Sequence, residues 1–152
     1  MKRAGNLLEQ IAMPGNLLEA FLKARRGKTQ QTDVQAFAAN LDAELERLRD
    51  DLLAGRRRFD RYRWFWIHDP KLRLIHAAPF DDRVLHHAMM NVCEPYFERV
   101  QIFDSYACRK GKGRMKGIAA AQQAARRHGW YLKLDLRKYF ESIPHERLME
   151  LV

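Results

Sequence analysis

The sequence predicts an α+β fold, and three observations carry that prediction. Apolar residues recur at helical spacing through the first fifty-five residues. A dense aromatic run, YRWFWIH, and the segment LRLIHA flank an Asp-Pro-Lys turn, the pattern of an antiparallel hairpin. Helical spacing resumes beyond residue 80. The chain has 152 residues and is 47% hydrophobic, the size and composition of one folded soluble domain. No apolar run approaches the roughly 18–20 residues that cross a bilayer, so no membrane association is expected. The start, MKRAGNLLEQ, lacks the continuous apolar stretch of a secretory signal. Cys93 and Cys108 have neither disulfide-framework nor zinc-site spacing, and they predict reduced thiols in a cytoplasmic protein.

Each element follows from local chemistry. Pro14-Gly15-Asn16 opens a short amphipathic helix that ends near Gly27. Asp33 is placed to cap one long helix, in which Val34, Phe37, Leu41, Leu45, Leu48 and Leu52 form a stripe and Gly55 is the stop. Residues 62–68 and 72–77 form the two strands. Pro79 breaks the chain, and a helix begins near Asp81 or Asp82 that Pro95 should end or kink. Trp64 and Trp66 fall on one strand face and read as core rather than as base-stacking platforms. GIAAAQQAARRH predicts a helix over 117–128. Trp130–Leu134 reads as a short buried strand leading to Asp135, followed by a turn and another helix with no stop signal before Val152. The chain is therefore expected to be the N-terminal part of something longer.

The net charge of +9 favours polyanionic partners, and its placement matters more than its size. Residues 99–116 hold Arg99, Arg109, Lys110, Lys112, Arg114 and Lys116 against Asp104 alone. The glycines of SYACRKGKG let a backbone approach a phosphate chain, and the phrase lacks the GxxxxGK[ST] of a P-loop. Asp135, at the end of an apolar segment, needs hydrogen bonds, a cation or a metal if buried. Local pattern alone makes a helix cap the commoner use of such a residue. Lys71 and Arg73, taken alone, are ordinary solvated strand charges.

Read together, five segments resemble reverse transcriptases of the bacterial group II intron, retron and diversity-generating retroelement type. They are Lys71-Leu72-Arg73-Leu74-Ile75; Pro79-Phe80-Asp81-Asp82-Arg83-Val84-Leu85-His86-His87-Ala88; Glu94-Pro95-Tyr96-Phe97-Glu98; Ser105-Tyr106-Ala107-Cys108-Arg109-Lys110-Gly111-Lys112-Gly113; and Leu132-Lys133-Leu134-Asp135-Leu136-Arg137-Lys138-Tyr139-Phe140-Glu141-Ser142-Ile143. The resemblance implies a helical region over 1–55, fingers over 56–129 and the start of a palm sheet over 130–152. It implies an RNA-directed DNA polymerase that uses Mg2+, an RNA template, a DNA primer and deoxynucleoside triphosphates, with room for an accessory protein. By the same resemblance Asp135 is the first catalytic aspartate and a metal ligand, and the Leu136 carbonyl is a second metal ligand. Lys71 and Arg73 grip the triphosphate, and Phe140 is the ring that excludes a ribose 2′-hydroxyl. Arg83, Arg109, Lys110, Lys112 and Arg114 contact nucleic acid, with Arg83 and Arg109 serving the fold or the template rather than the chemistry. The family's later Asp-Asp motif does not follow Asp135 in this sequence, and one carboxylate cannot hold two metal ions. The isolated chain is therefore expected to be inactive. A non-catalytic nucleic-acid-binding module and a protein-docking remnant, using helices over 16–26 and 33–54, are the alternatives.

Overall fold

The computed structural model describes residues 4–151, so the first three residues and Val152, where the last helix is expected to run on, lie outside it. The chain divides into two compact units after Gln101.

The first unit contains helices α1 (Leu7–Ile11), α2 (Pro14–Arg25), α3 (Thr32–Ala39) and α4 (Leu41–Leu53), strands β1 (Arg63–His68) and β2 (Leu72–Ala77), and helix α5 (Phe80–Val100). Pro14 takes the first helical position of α2, where a missing N–H costs nothing. Leu17, Ala20, Phe21 and Ala24 then fall on one face and are buried, packing with Val84, Leu85 and Ala88 of α5 in one core. Three rings close that core. Phe21 stacks on Phe37 at 5.6 Å, and Phe80 meets both edge-on, at 6.1 and 5.2 Å.

The long helix expected over 33–54 is broken at Asn40, whose φ of −124° and ψ of 39° lie outside the helical region. Asparagine is a weak helix former, and the break lets α3 turn Phe37 into the ring cluster while α4 buries Leu48. The helix cap is Gln31 rather than Asp33, although the Asp33 carboxylate still accepts from the Val34 N–H at 2.9 Å. Gly55 does end α4. It has a φ of 63°, and the amides of Gly55 and Arg56 donate back to the carbonyls of Leu52 and Asp51. Helix α5 does not end at Pro95 and runs on to Val100. Its packing against α1, α2 and α3 holds it through the residue that lacks a donor. One buried turn depends on Asn16, whose amide donates to the carbonyls of Ile11 and Ala88 and whose oxygen accepts from Asn91.

The hairpin pairs antiparallel in the register Trp64 to His76 and Trp66 to Leu74. Its approach is pinned by charge. Asp82 is fully buried, and the Arg57 guanidinium, 7% exposed, donates to it and to Asp81 at 2.8 Å. Arg61 adds a contact to Asp81 at 2.7 Å. Phe59, between the two arginines, stacks on His86 of α5 with ring centres 5.7 Å apart. Both carboxylates lie in the first turn of α5, where the helix dipole favours negative charge. Burial pushes the Asp81 carboxyl upward, but hydrogen bonds from Arg57 and Arg61 outweigh it and leave its pKa at about 2.

The second unit holds helix α6 (Arg114–Arg127), a single 3-10 turn (Phe140–Ser142) and helix α7 (His145–Leu151). Residues 130–134 do not form the expected buried strand. The segment 130–136 has no regular secondary structure, and Trp130, Leu132, Leu134 and Leu136 are 71–94% exposed. A strand is held by its ladder to a neighbour, and β1–β2 is the one sheet among the described residues. No helix among the described residues is long and apolar enough to cross a membrane.

Two outcomes follow from the arginine clamp. Asp82→Ala strands the buried Arg57 charge and should cost about 3–5 kcal/mol in urea unfolding of the first unit. The depressed Asp81 pKa contributes stability that is fully present above its ordinary value of 3.8 and is lost as pH falls towards about 2. Acid unfolding should therefore steepen across that window, and Asp81→Asn should flatten it.

Candidate nucleic-acid interface

Three basic surfaces are built on this scaffold, two on the first unit and one on the second. The first is the hairpin. Lys71 sits in the turn and Arg73 on β2 opposite Ile67; both are exposed, and among the described residues neither has an ion-pair or hydrogen-bond partner. Strand alternation puts Arg73 on the face of Arg63, Phe65 and Ile75, and puts Trp64, Trp66, Leu74 and His76 on the other. Trp64 and Trp66 share a face, as expected, but they are not core: each is 63% exposed. A two-stranded sheet has two faces, and none of the described residues of this unit covers this one.

The second surface is an open groove of about 940 Å³ between the connection into α3, the start of β1 and the chain entering α5. Lys28, Arg61, Arg63 and Arg83 line it. Arg83 is held by Asp33 at 2.8 Å rather than by the neighbouring Asp81 or Asp82, and Arg61 by Asp81. Lys28 and Arg63 remain without a carboxylate partner among the described residues, so the groove keeps positive charge after its internal pairs are formed. Lys28 and Arg63 were missed in the sequence, because only the fold brings the 28–33 connection beside β1.

The third surface is the 102–116 loop. Here the basic residues divide by role. Arg109 donates to the carbonyls of Ile102 and Ser105, at 2.8 and 3.1 Å. Lys112 donates to the Phe103 carbonyl at 2.7 Å, with its ammonium 3.3 Å from the centre of the Phe103 ring and 5.1 Å from that of Tyr106. These two cations hold the loop closed. Gly111 and Gly113 take φ values of 69° and 92°, which side-chain-bearing residues rarely adopt, and the second opens α6. Lys110, Arg114 and Lys116 stay exposed with no partner among the described residues.

Asp135 and Phe140 belong to the second unit, and Lys71, Arg73 and Arg83 to the first. Asp135 stands exposed in the irregular 130–136 segment, with no hydrogen bond or ion pair to its carboxylate among the described residues; it is not a helix cap. Phe140 is 83% exposed and meets Tyr139 edge-on at 5.2 Å. The Asp135 carboxylate and the Leu136 carbonyl are hard oxygen donors of the kind Mg2+ takes, and they fall short of the near-octahedral set it requires. No three His, Cys, Asp or Glu side chains converge among the described residues.

No family model matches the chain. It is similar to Protein YkfC of Escherichia coli (strain K12), with 29% identity over 163 residues that take in 99% of this chain and 43% of the relative. The chain thus spans less than half the length of the curated relative it matches.

The free cations of the hairpin contribute nothing to the fold. Lys71→Ala and Arg73→Ala should each leave the unfolding free energy within about 0.5 kcal/mol of the parent, checked by urea titration.

Proposed function

We propose that this chain is the fingers and first palm segment of an RNA-directed DNA polymerase. The observation that carries the proposal is the hairpin. A buried arginine–aspartate clamp orients it, and its tip presents Lys71 and Arg73, two cations with no structural task. An exposed, uncommitted guanidinium and ammonium on a stiff ribbon suit a triphosphate, which Arg meets bidentately and Lys as a point charge. The resemblance of the Asp135 segment to the family's first palm motif points the same way.

In this function a primer 3′-hydroxyl attacks the α-phosphate of a deoxynucleoside triphosphate, and pyrophosphate leaves. Asp135 and the Leu136 carbonyl would contribute to holding Mg2+, which supplies Lewis-acid activation of the hydroxyl and of the leaving oxygens. Lys71 and Arg73 neutralise the triphosphate and hold it in line. By the same resemblance, Phe140 would supply the bulky ring that excludes a ribose 2′-hydroxyl, so that deoxynucleotides are selected. Lys28 and Arg63 in the groove, with Lys110, Arg114 and Lys116 in the loop, attract the template backbone.

The test joins this chain to a downstream palm segment that carries the further carboxylates and measures primer extension on an RNA template with Mg2+. Extension is expected, and Asp135→Asn should abolish it without altering RNA affinity. Extension that survives Asp135→Asn removes Asp135 from the chemistry. RNA binding without extension leaves a non-catalytic nucleic-acid module.

A further inference from the structure

One face of the hairpin is used by neither the fold nor the triphosphate chemistry. Trp64, Trp66 and His68 of β1 lie opposite His76, Leu74 and Leu72 of β2, and all six are exposed. The His76 ring lies against Trp64 with centres 4.4 Å apart and planes 34° from parallel, which holds the indole in place before any ligand arrives. Trp64 and Trp66, two residues apart on one strand, stand about 6.7 Å apart along it. The opposite face carries Arg63 and Arg73, and the turn carries Lys71, with Asp69 the one carboxylate of the ribbon. Large exposed rings backed by cations match an unpaired nucleic-acid strand, whose bases offer flat apolar surfaces and whose backbone is an anion. An apolar protein partner would gain nothing from the cationic surround.

The geometry points to a base-stacking platform: Trp64 and Trp66, with His76 as a brace, receive successive unpaired bases of single-stranded RNA. The site rests on the nucleic-acid function proposed above and deepens it. It divides the ribbon between two tasks, with phosphate contacts on the Arg63–Arg73 face and base contacts on the tryptophan face.

The experiment uses the full chain carrying Trp130→Phe, so that Trp64 and Trp66 are the only indoles. It is titrated with a single-stranded oligouridylate, with duplex RNA of the same length, and with an abasic oligomer. The single strand should quench the tryptophan fluorescence and bind about tenfold or more tighter than the abasic strand. Trp64→Ala and Trp66→Ala should each weaken single-strand binding about tenfold, with the dependence on salt unchanged because no cation is lost. Trp64→Phe and Trp66→Phe should restore most of the affinity, and far-UV circular dichroism shows whether each variant keeps its fold. Alanine variants that bind the single strand like the parent, or a parent that binds the abasic strand equally well, overturn the platform and leave nucleic-acid binding standing. A parent that binds no RNA overturns both. Loss of self-association in the alanine variants, with RNA affinity intact, assigns the face to a second copy of the chain instead.

Discussion

A guanidinium buried against two carboxylates governs where the hairpin can stand. Taking Arg57, Asp81 and Asp82 out of water is expensive, and the cost is offset only while each charge meets its opposite at hydrogen-bond distance. The geometry is therefore steeply defined. Arg57 lies six residues before β1, and its partners open α5 directly after β2, so one ion cluster grips both ends of the ribbon. Phe59 stacked on His86 adds an apolar contact between the same elements. Among the described residues the hairpin has no third strand to lean on, and a two-stranded ribbon alone is marginal in water. The clamp supplies the anchorage that a wider sheet would otherwise provide.

The same economy of charge separates structural from available cations. Arg57, Arg61, Arg83, Arg109 and Lys112 are engaged with carboxylates, carbonyls or rings. Lys28, Lys71, Arg73, Lys110, Arg114 and Lys116 have no ionic or hydrogen-bonded partner among the described residues, and neither does Arg63, which lies over the Phe65 ring at 5.3 Å. A net charge of +9 says that positive charge is in excess; only this division says where it is presented. The available cations lie on the ribbon, along the groove and on the loop that opens α6, surfaces suited to phosphate.

Local patterns were legible where neighbouring residues settle the outcome. The hairpin limits, the stop at Gly55 and the alanine-rich helix follow from turn chemistry, from a glycine with positive φ and from helix propensity, all short-range effects. The expected readings missed where the outcome depends on distant residues. Asn40 breaks a helix because Phe37 is drawn towards Phe21 and Phe80. Pro95, expected to end or kink α5, does not end it, because the preceding turns are packed against three other helices. Trp64 and Trp66 look like core by composition and are exposed because, among the described residues of the first unit, no layer covers their face. The 130–136 segment has the alternation of a strand without a neighbour to pair with.

By itself, the order of residues determined the α+β class, the positions of the turns and the surplus of positive charge. These depend on backbone preference, hydrophobic period and composition, which act over a few residues. Tertiary structure decided which arginine is buried, which cations stay free, and which hairpin face meets water. Burial and pairing are properties of side chains brought together from far apart in the chain, and Arg57 meets Asp82 only after the ribbon between them has folded back.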